Sequence, residues 1–155
     1  MDGDFRRLAL YELRLCAKVW AMVSDPGPRS QLDSGSSRRV LIVDDNTDAG
    51  ELLGAFIERA GHRPHVVSCA QDALAVANEL RPDVALIDIG LPDMNGFDLV
   101  RSLRALPGLQ ACRYVAVTGH KSQSAIARGI SAGFEAYLTK PIQHADLLPL
   151  IRGGY

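Results

Sequence analysis

Five polar residues each follow a short apolar run. Asp44 and Asp45 close Val40-Leu41-Ile42-Val43, and Asp88 closes Val84-Ala85-Leu86-Ile87. Thr118 closes Tyr114-Val115-Ala116-Val117, and Lys140 stands just past Ala136-Tyr137-Leu138. Three carboxylates brought together repel one another, and leaving them unpaired is costly. A hard divalent cation relieves this. Mg²⁺ takes oxygen ligands, keeps several waters and is held by one or two carboxylates plus a phosphate; Mn²⁺ accepts similar ligands. Asp45 and Asp88 are the candidates for direct ligation, with Asp44 acting through water or orienting its neighbour. Lys140 offers a mobile positive charge suited to a phosphoryl oxygen. Thr118 offers a hydroxyl donor, and Gly119 beside it leaves room for a phosphodonor. An Asp carboxylate in this setting can act as a nucleophile and form an acyl phosphate. The surrounding charges then contribute positioning and electrostatic stabilisation.

The elements that must position these groups are legible as a rhythm from Arg38 onward. The first strand, Val40–Val43, is followed by a helical pattern from Thr47 to Ala60 with Leu52, Leu53, Phe56 and Ile57 as its apolar face, stopping at Gly61. His65–Val67 is a second strand, and Ala70–Leu80 a helix that ends before Pro82. Val84–Ile87 is a third strand, Phe97–Leu106 a helix, Tyr114–Val117 a fourth strand. Ser124–Ala132 is a helix ending at Gly133, Ala136–Leu138 a fifth strand, and Ala145–Ile151 a closing helix whose end Pro149 should weaken. Strands alternating with helices predict an α/β fold, a doubly wound parallel sheet covered on both faces. Right-handed crossovers restrict the topology, and ligands in such folds bind at the carboxyl ends of the strands. All five polar residues lie at that end.

The chain of 155 residues suits one domain with residues to spare, and 47% apolar with 23% charged residues suits a globular protein. Net charge is −1, so no basic field points to nucleic acid. Cys16, Cys69 and Cys112 have neither metal-ligand spacing nor an even count, which fits a reducing compartment. His62, His65 and His144 also lack ligand spacing and read as surface or packing residues. The apolar stretch from Leu8 to Val23 is interrupted by Glu12, Arg14 and Lys18, which argues against a membrane span or a secretory signal. The expected location is therefore the cytoplasm, with membrane contact the less favoured reading. Residues 1–24 read as a helical or disordered extension: a membrane-surface helix, a docking helix and a marginal tail all remain open. Residues 25–37, rich in Pro, Gly and Ser, read as a flexible linker.

Residues 38–152 resemble the receiver domain of bacterial response regulators. The resemblance rests on Val43-Asp44-Asp45, Leu86-Ile87-Asp88, the loop Gly90-Leu91-Pro92-Asp93-Met94-Asn95-Gly96, Val117-Thr118-Gly119 and Tyr137-Leu138-Thr139-Lys140-Pro141. The intervals of 30 residues from Asp88 to Thr118 and 22 from Thr118 to Lys140 match the family. Gly90-Leu91-Pro92 and Thr118-Gly119-His120 look closest to receivers of hybrid sensor kinases. The resemblance implies a flavodoxin-like sheet of strand order 2-1-3-4-5. It implies that Asp88 takes a phosphoryl group from a phosphohistidine on a sensor histidine kinase or a histidine phosphotransfer protein. Asp44, Asp45, Asp88 and the backbone carbonyl of Gly90 would bind Mg²⁺, Lys140 would pair with the phosphoryl group, and the Lys140–Pro141 peptide would be cis. Thr118 would turn toward the phosphate and Tyr137 move inward, which couples the site to the surface of the fourth helix, fifth strand and fifth helix. That surface would also suit a homodimer. Ile89 and Gly90 carry no polar side chain, and His120 lies near the site, so phosphate lifetime stays open. Only 15 residues follow Lys140, which suggests signalling by protein contact without an attached output domain or direct nucleic-acid binding.

Singly, each residue has an ordinary explanation. The Asp pair could cap a helix, Thr118-Gly119 and Asp88 could be turn residues, Lys140-Pro141 a solvated loop, and Tyr137 a core-edge aromatic. Their joint order and spacing is what these explanations lack. Two other function classes fit the residues less well. An Asp-dependent phosphohydrolase needs a motif like Asp-x-Asp-x-Thr, whereas Asp88-Ile89-Gly90-Leu91 has neither the second Asp nor the Thr. A receiver-like binding module that never takes phosphate would not require the intact acidic set.

Overall fold

The computed structural model describes residues 36–119 and 122–153. The expected helix over 1–24, most of the linker, and His120 lie outside the described residues. The strands are β1 (Arg39–Val43), β2 (Arg63–Val67), β3 (Val84–Asp88), β4 (Arg113–Thr118) and β5 (Ala136–Thr139). The helices are α1 (Thr47–Arg59), α2 (Ala70–Leu80), α3 (Gly96–Ala105), α4 (Gln123–Ala132) and α5 (His144–Arg152). All strand pairs are parallel, and the sheet order is β2-β1-β3-β4-β5, as the family resemblance implied.

Alternation along the strands divides the core into two layers. Leu41, Val43, Ala85, Ile87 and Ala116 face one side, where they meet Ala73 and Ala77 of α2, Leu99, Val100 and Leu103 of α3, and Ala132 of α4. Val40, Ile42, Leu86, Val115, Val117 and Leu138 face the other, against Ile57 of α1 and Leu147, Leu150 and Ile151 of α5. Strands β1, β3 and β4 are buried on both faces, which is why they read as unbroken apolar runs. Each fully buried Leu, Ile or Val contributes about 1.5–3 kcal/mol.

Local chemistry sets the helix starts. Asn46, Asn95 and Ser122 accept hydrogen bonds from the amides of Ala49, Phe97 and Ala125 and cap α1, α3 and α4. Three expectations shift. Helical spacing puts Leu52 on the apolar face of α1, yet it is 75% exposed. The face that packs is Gly50, Gly54 and Ile57, because the two glycines let α1 approach Val66 closely. Strand β2 begins at Arg63 rather than His65: Pro64 is tolerated because β2 is an edge strand. Helix α5 spans His144–Arg152, one residue beyond the expected Ala145–Ile151 at each end, and the Gly153 amide donates to the Pro149 carbonyl.

Candidate functional site

The order of strands reverses between β1 and β3, and the site forms at their carboxyl ends. Parallel register brings Val43 beside Ile87, so the residues that follow, Asp44 and Asp88, emerge together. The Asp44 amide still donates to Val67, extending the β1–β2 ladder by one bond, and its Oδ1 accepts from the Asn46 amide at 3.0 Å. The helix cap is thus Asn46, and neither member of the Asp pair performs that role. Asp88 Oδ1 accepts from the Gly90 amide at 3.0 Å, which turns the chain sharply away from β3.

One carboxylate oxygen from each of Asp44, Asp45 and Asp88 lies within 4.8 Å of the others. Asp44 is buried, Asp88 half-buried and Asp45 exposed. Lys140 joins two of them: its Nζ donates to Asp44 Oδ2 and to Asp88 Oδ2, each at 2.9 Å. Burial of the ammonium lowers its pKa, but hydrogen bonds and charge from Asp88 and Asp44 outweigh that, and Lys140 titrates above its ordinary value. The cation is placed by β5 and by a bond from its own amide to the Thr118 carbonyl, followed by a cis peptide to Pro141.

Thr118 ends β4 and sits half-buried opposite Thr139. Among the described residues, none beyond its chain neighbours lies within 4 Å of where a Cβ on Gly119 would be, which leaves space beside Thr118. Tyr137 pairs with Ala116 in the sheet and is on the same face as Thr118. Its ring packs near Phe134, and its hydroxyl donates to helix carbonyls of α4, Ala125 at 3.0 Å and Ile126 at 3.2 Å. The structure therefore brings Asp44, Asp45, Asp88 and Lys140 into one group, with Gly90 and Thr118 at its rim. Tyr137 is directed to α4.

The donor set fits a hard cation. Three carboxylates on two adjacent loops offer oxygen ligands only, and one of them is exposed, so an ion could keep part of its water shell.

Sequence reasoning assigned no role to Asp93. Its carboxylate accepts from the amides of Ala70 and Gln71, 23 and 22 residues away. Only its place within the Gly90–Gly96 loop hinted at importance.

The fold and the site define a doubly wound α/β domain with an acidic cluster at the carboxyl ends of its strands. Comparison with known proteins is more specific. Residues 40–152 match the model of the response regulator receiver domain, and the chain belongs to that family. It is similar to the DNA-binding response regulator MtrA of Mycobacterium tuberculosis, 33% identical over 115 residues, covering 74% of this chain and 49% of MtrA. The chain spans about half the length of the MtrA relatives it matches. It also resembles the sensor histidine kinase AtsR of Burkholderia thailandensis, 31% identical over 125 residues, covering 80% of this chain and 21% of AtsR. Among solved structures, a CheY-like receiver domain protein from Methanospirillum hungatei superposes with a TM-score of 0.70 at 32% identity, covering 76% of this chain and 93% of that one. The protein thus carries a receiver domain of a two-component system. No helix of the described residues is long and apolar enough to cross a membrane.

Proposed function

We propose that Asp88 accepts a phosphoryl group from a phosphohistidine of a sensor histidine kinase or a histidine phosphotransfer protein, and that the domain signals through protein contacts. The observation that carries this reading is the Lys140 ammonium, 2.9 Å from both Asp44 and Asp88, in the same group as Asp45. An Asp88 oxygen attacks phosphorus; the new P–O bond forms as the P–N bond breaks, and the imidazole leaves with that electron pair. Lys140 is placed to pair with a phosphoryl oxygen, and the Thr118 hydroxyl, at the open Gly119 side, to donate to another. Asp44, Asp45, Asp88 and the Gly90 backbone carbonyl would hold Mg²⁺, with Mn²⁺ an alternative. When bound, the ion supplies charge neutralisation on the phosphoryl oxygens.

A soluble switch acting in the cytoplasm fits this reading, as does pairing of two copies through α4, β5 and α5. Thr118 and Tyr137 would couple acceptor and surface, because Tyr137 joins β5 to α4 through its hydroxyl. The test is incubation with Mg²⁺ and acetyl phosphate, followed by intact-mass measurement. Wild type should gain one phosphoryl group and Asp88→Asn none. Unlabelled wild type, or equal labelling of Asp88→Asn, overturns the proposal. A histidine kinase that labels wild type but not Asp88→Asn would identify the donor class.

A further inference from the structure

Helix α2 starts without a cap of its own. Cys69 precedes it in extended conformation, and its side chain makes no capping hydrogen bond. The first amides of a helix have no partner inside it and need one elsewhere. Here the partner comes from another loop. The amide of Ala70 donates to Asp93 Oδ1 and that of Gln71 to Asp93 Oδ2, each at 3.0 Å. These two amides, Ala70 foremost, hold the Asp93 carboxyl below the usual carboxylate range, so it is a charged acceptor at neutral pH.

Asp93 lies within the loop that joins β3 to α3. The base of that loop is closed from both sides. Gly90 donates to Asp88 Oδ1, and Gly96 donates to the Ile89 carbonyl at 3.0 Å. A Cβ on Gly96 would sit 2.8 Å from the Asp88 carbonyl oxygen and 2.7 Å from Ile89 Cα, so only glycine closes it this tightly. Leu91 and Met94 pack against the core beneath. Apolar contact of this kind sets depth but is not directional. The two bonds from Asp93 are charge-assisted and directional. They fix where the loop stands at the carboxyl end of β3, relative to α2.

We propose that Asp93 is a positioning residue for the acceptor loop: seated on the α2 amides, its carboxylate holds Gly90 in place beside Asp88. The inference rests on the reading of Asp88 and Gly90 as parts of a Mg²⁺-dependent acceptor site. Groups that orient metal-binding residues are typically worth about 10–100-fold in affinity, and a tether three residues from Gly90 belongs at the lower end.

The experiment separates the tether from the helix cap. Asp93→Ala removes both. Cys69→Ser added to Asp93→Ala supplies a local hydroxyl cap at a residue already in the extended conformation that caps require. Thermal melting, Mg²⁺ affinity by calorimetry and the rate of labelling by acetyl phosphate are measured on the full chain. Asp93→Ala should melt lower, bind Mg²⁺ about tenfold more weakly and label more slowly. The double variant should recover melting temperature while Mg²⁺ affinity and labelling stay impaired. Should the single variant not fold, the double variant alone is compared with wild type. Wild-type Mg²⁺ affinity in either variant, or recovery of all three properties by Cys69→Ser, overturns the inference. A wild-type chain that neither binds Mg²⁺ nor accepts the label sinks the underlying reading instead.

Discussion

Gly129 in α4 is where Tyr137 is seated, and replacing it by alanine gives a change whose sign can be worked out. An alanine Cβ at this position would lie 1.3 Å from the Tyr137 hydroxyl oxygen and 2.5 Å from Cζ, while Phe97 Cε1 would be 3.2 Å away. The phenylalanine contact relaxes with a shift of a few tenths of an ångström. The tyrosine contact does not, so the phenol must leave. Leaving costs the hydroxyl's bond to the α4 carbonyls, about 1 kcal/mol net, since one proton serves both acceptors. Exposing some 50–100 Å² of ring adds about 1–2.5 kcal/mol at roughly 25 cal/mol per Å². Against this, alanine in a helix interior gains about 1 kcal/mol over glycine. The expected result is net destabilisation of about 1–2.5 kcal/mol, a fall in melting temperature of several degrees. In a Tyr137→Ala background only the propensity gain remains, and Gly129→Ala should then stabilise by about 1 kcal/mol. Urea melts of the four proteins close the double-mutant cycle. If Gly129→Ala stabilises the parent chain, or has the same sign in both backgrounds, the packing of Tyr137 against α4 is not as described. The displaced phenol should also change the rate at which acetyl phosphate labels Asp88, because the proposed coupling runs through Thr118 and Tyr137.

Other expectations concern charge. Lys140→Ala strands Asp44 and Asp88, whose side chains are only 7% and 14% exposed; because Lys140 itself is 32% exposed, the loss should be about 1–2 kcal/mol rather than the larger figure for a fully buried pair. Urea melts in EDTA should show that loss and Mg²⁺ should offset it, whereas a variant as stable as the parent in EDTA contradicts the described pairing. Labelling by acetyl phosphate should nearly cease in the same variant. His62 is 8% exposed; its Nδ1 accepts from the Arg38 amide, and among the described residues no partner is seen for the buried Nε2. Burial first, then the charges of Arg152 and Arg38, lower its pKa. A depressed folded-state pKa means the unfolded chain binds the proton more readily, so this term is present above the unfolded value of about 6.5 and is lost as pH falls toward the folded pKa. His62→Asn keeps an acceptor for the Arg38 amide and should flatten the stability–pH curve below about 6.5; an unchanged slope would falsify the assignment.

Much of the molecule was legible in the chain itself. The buried strands β1, β3 and β4 are continuous apolar runs, and Ala70–Leu80 was placed to the residue, because strand and helix periods are local properties read from neighbours. The same rhythm placed Asp44, Asp45, Asp88, Thr118 and Lys140 at one end of a parallel sheet, since every strand in such a sheet runs the same way. The strand order itself came from family resemblance, and periodicity was silent on it. Leu52 shows the limit of helical spacing: a pattern three or four residues apart fits more than one face, and the glycines that let α1 approach Val66 decided which face was buried.

Contacts between distant segments were decided only by the folded chain. Lys140 meets Asp44 across 96 residues and Asp88 across 52. Asp93 caps a helix that begins 23 residues before it, and Tyr137 fills the notch left by a glycine on another element. None of these leaves a periodic trace, because each depends on which strands lie side by side and at what register. Residue type and spacing therefore told which groups could do chemistry, while strand order and loop placement settled which of them touch.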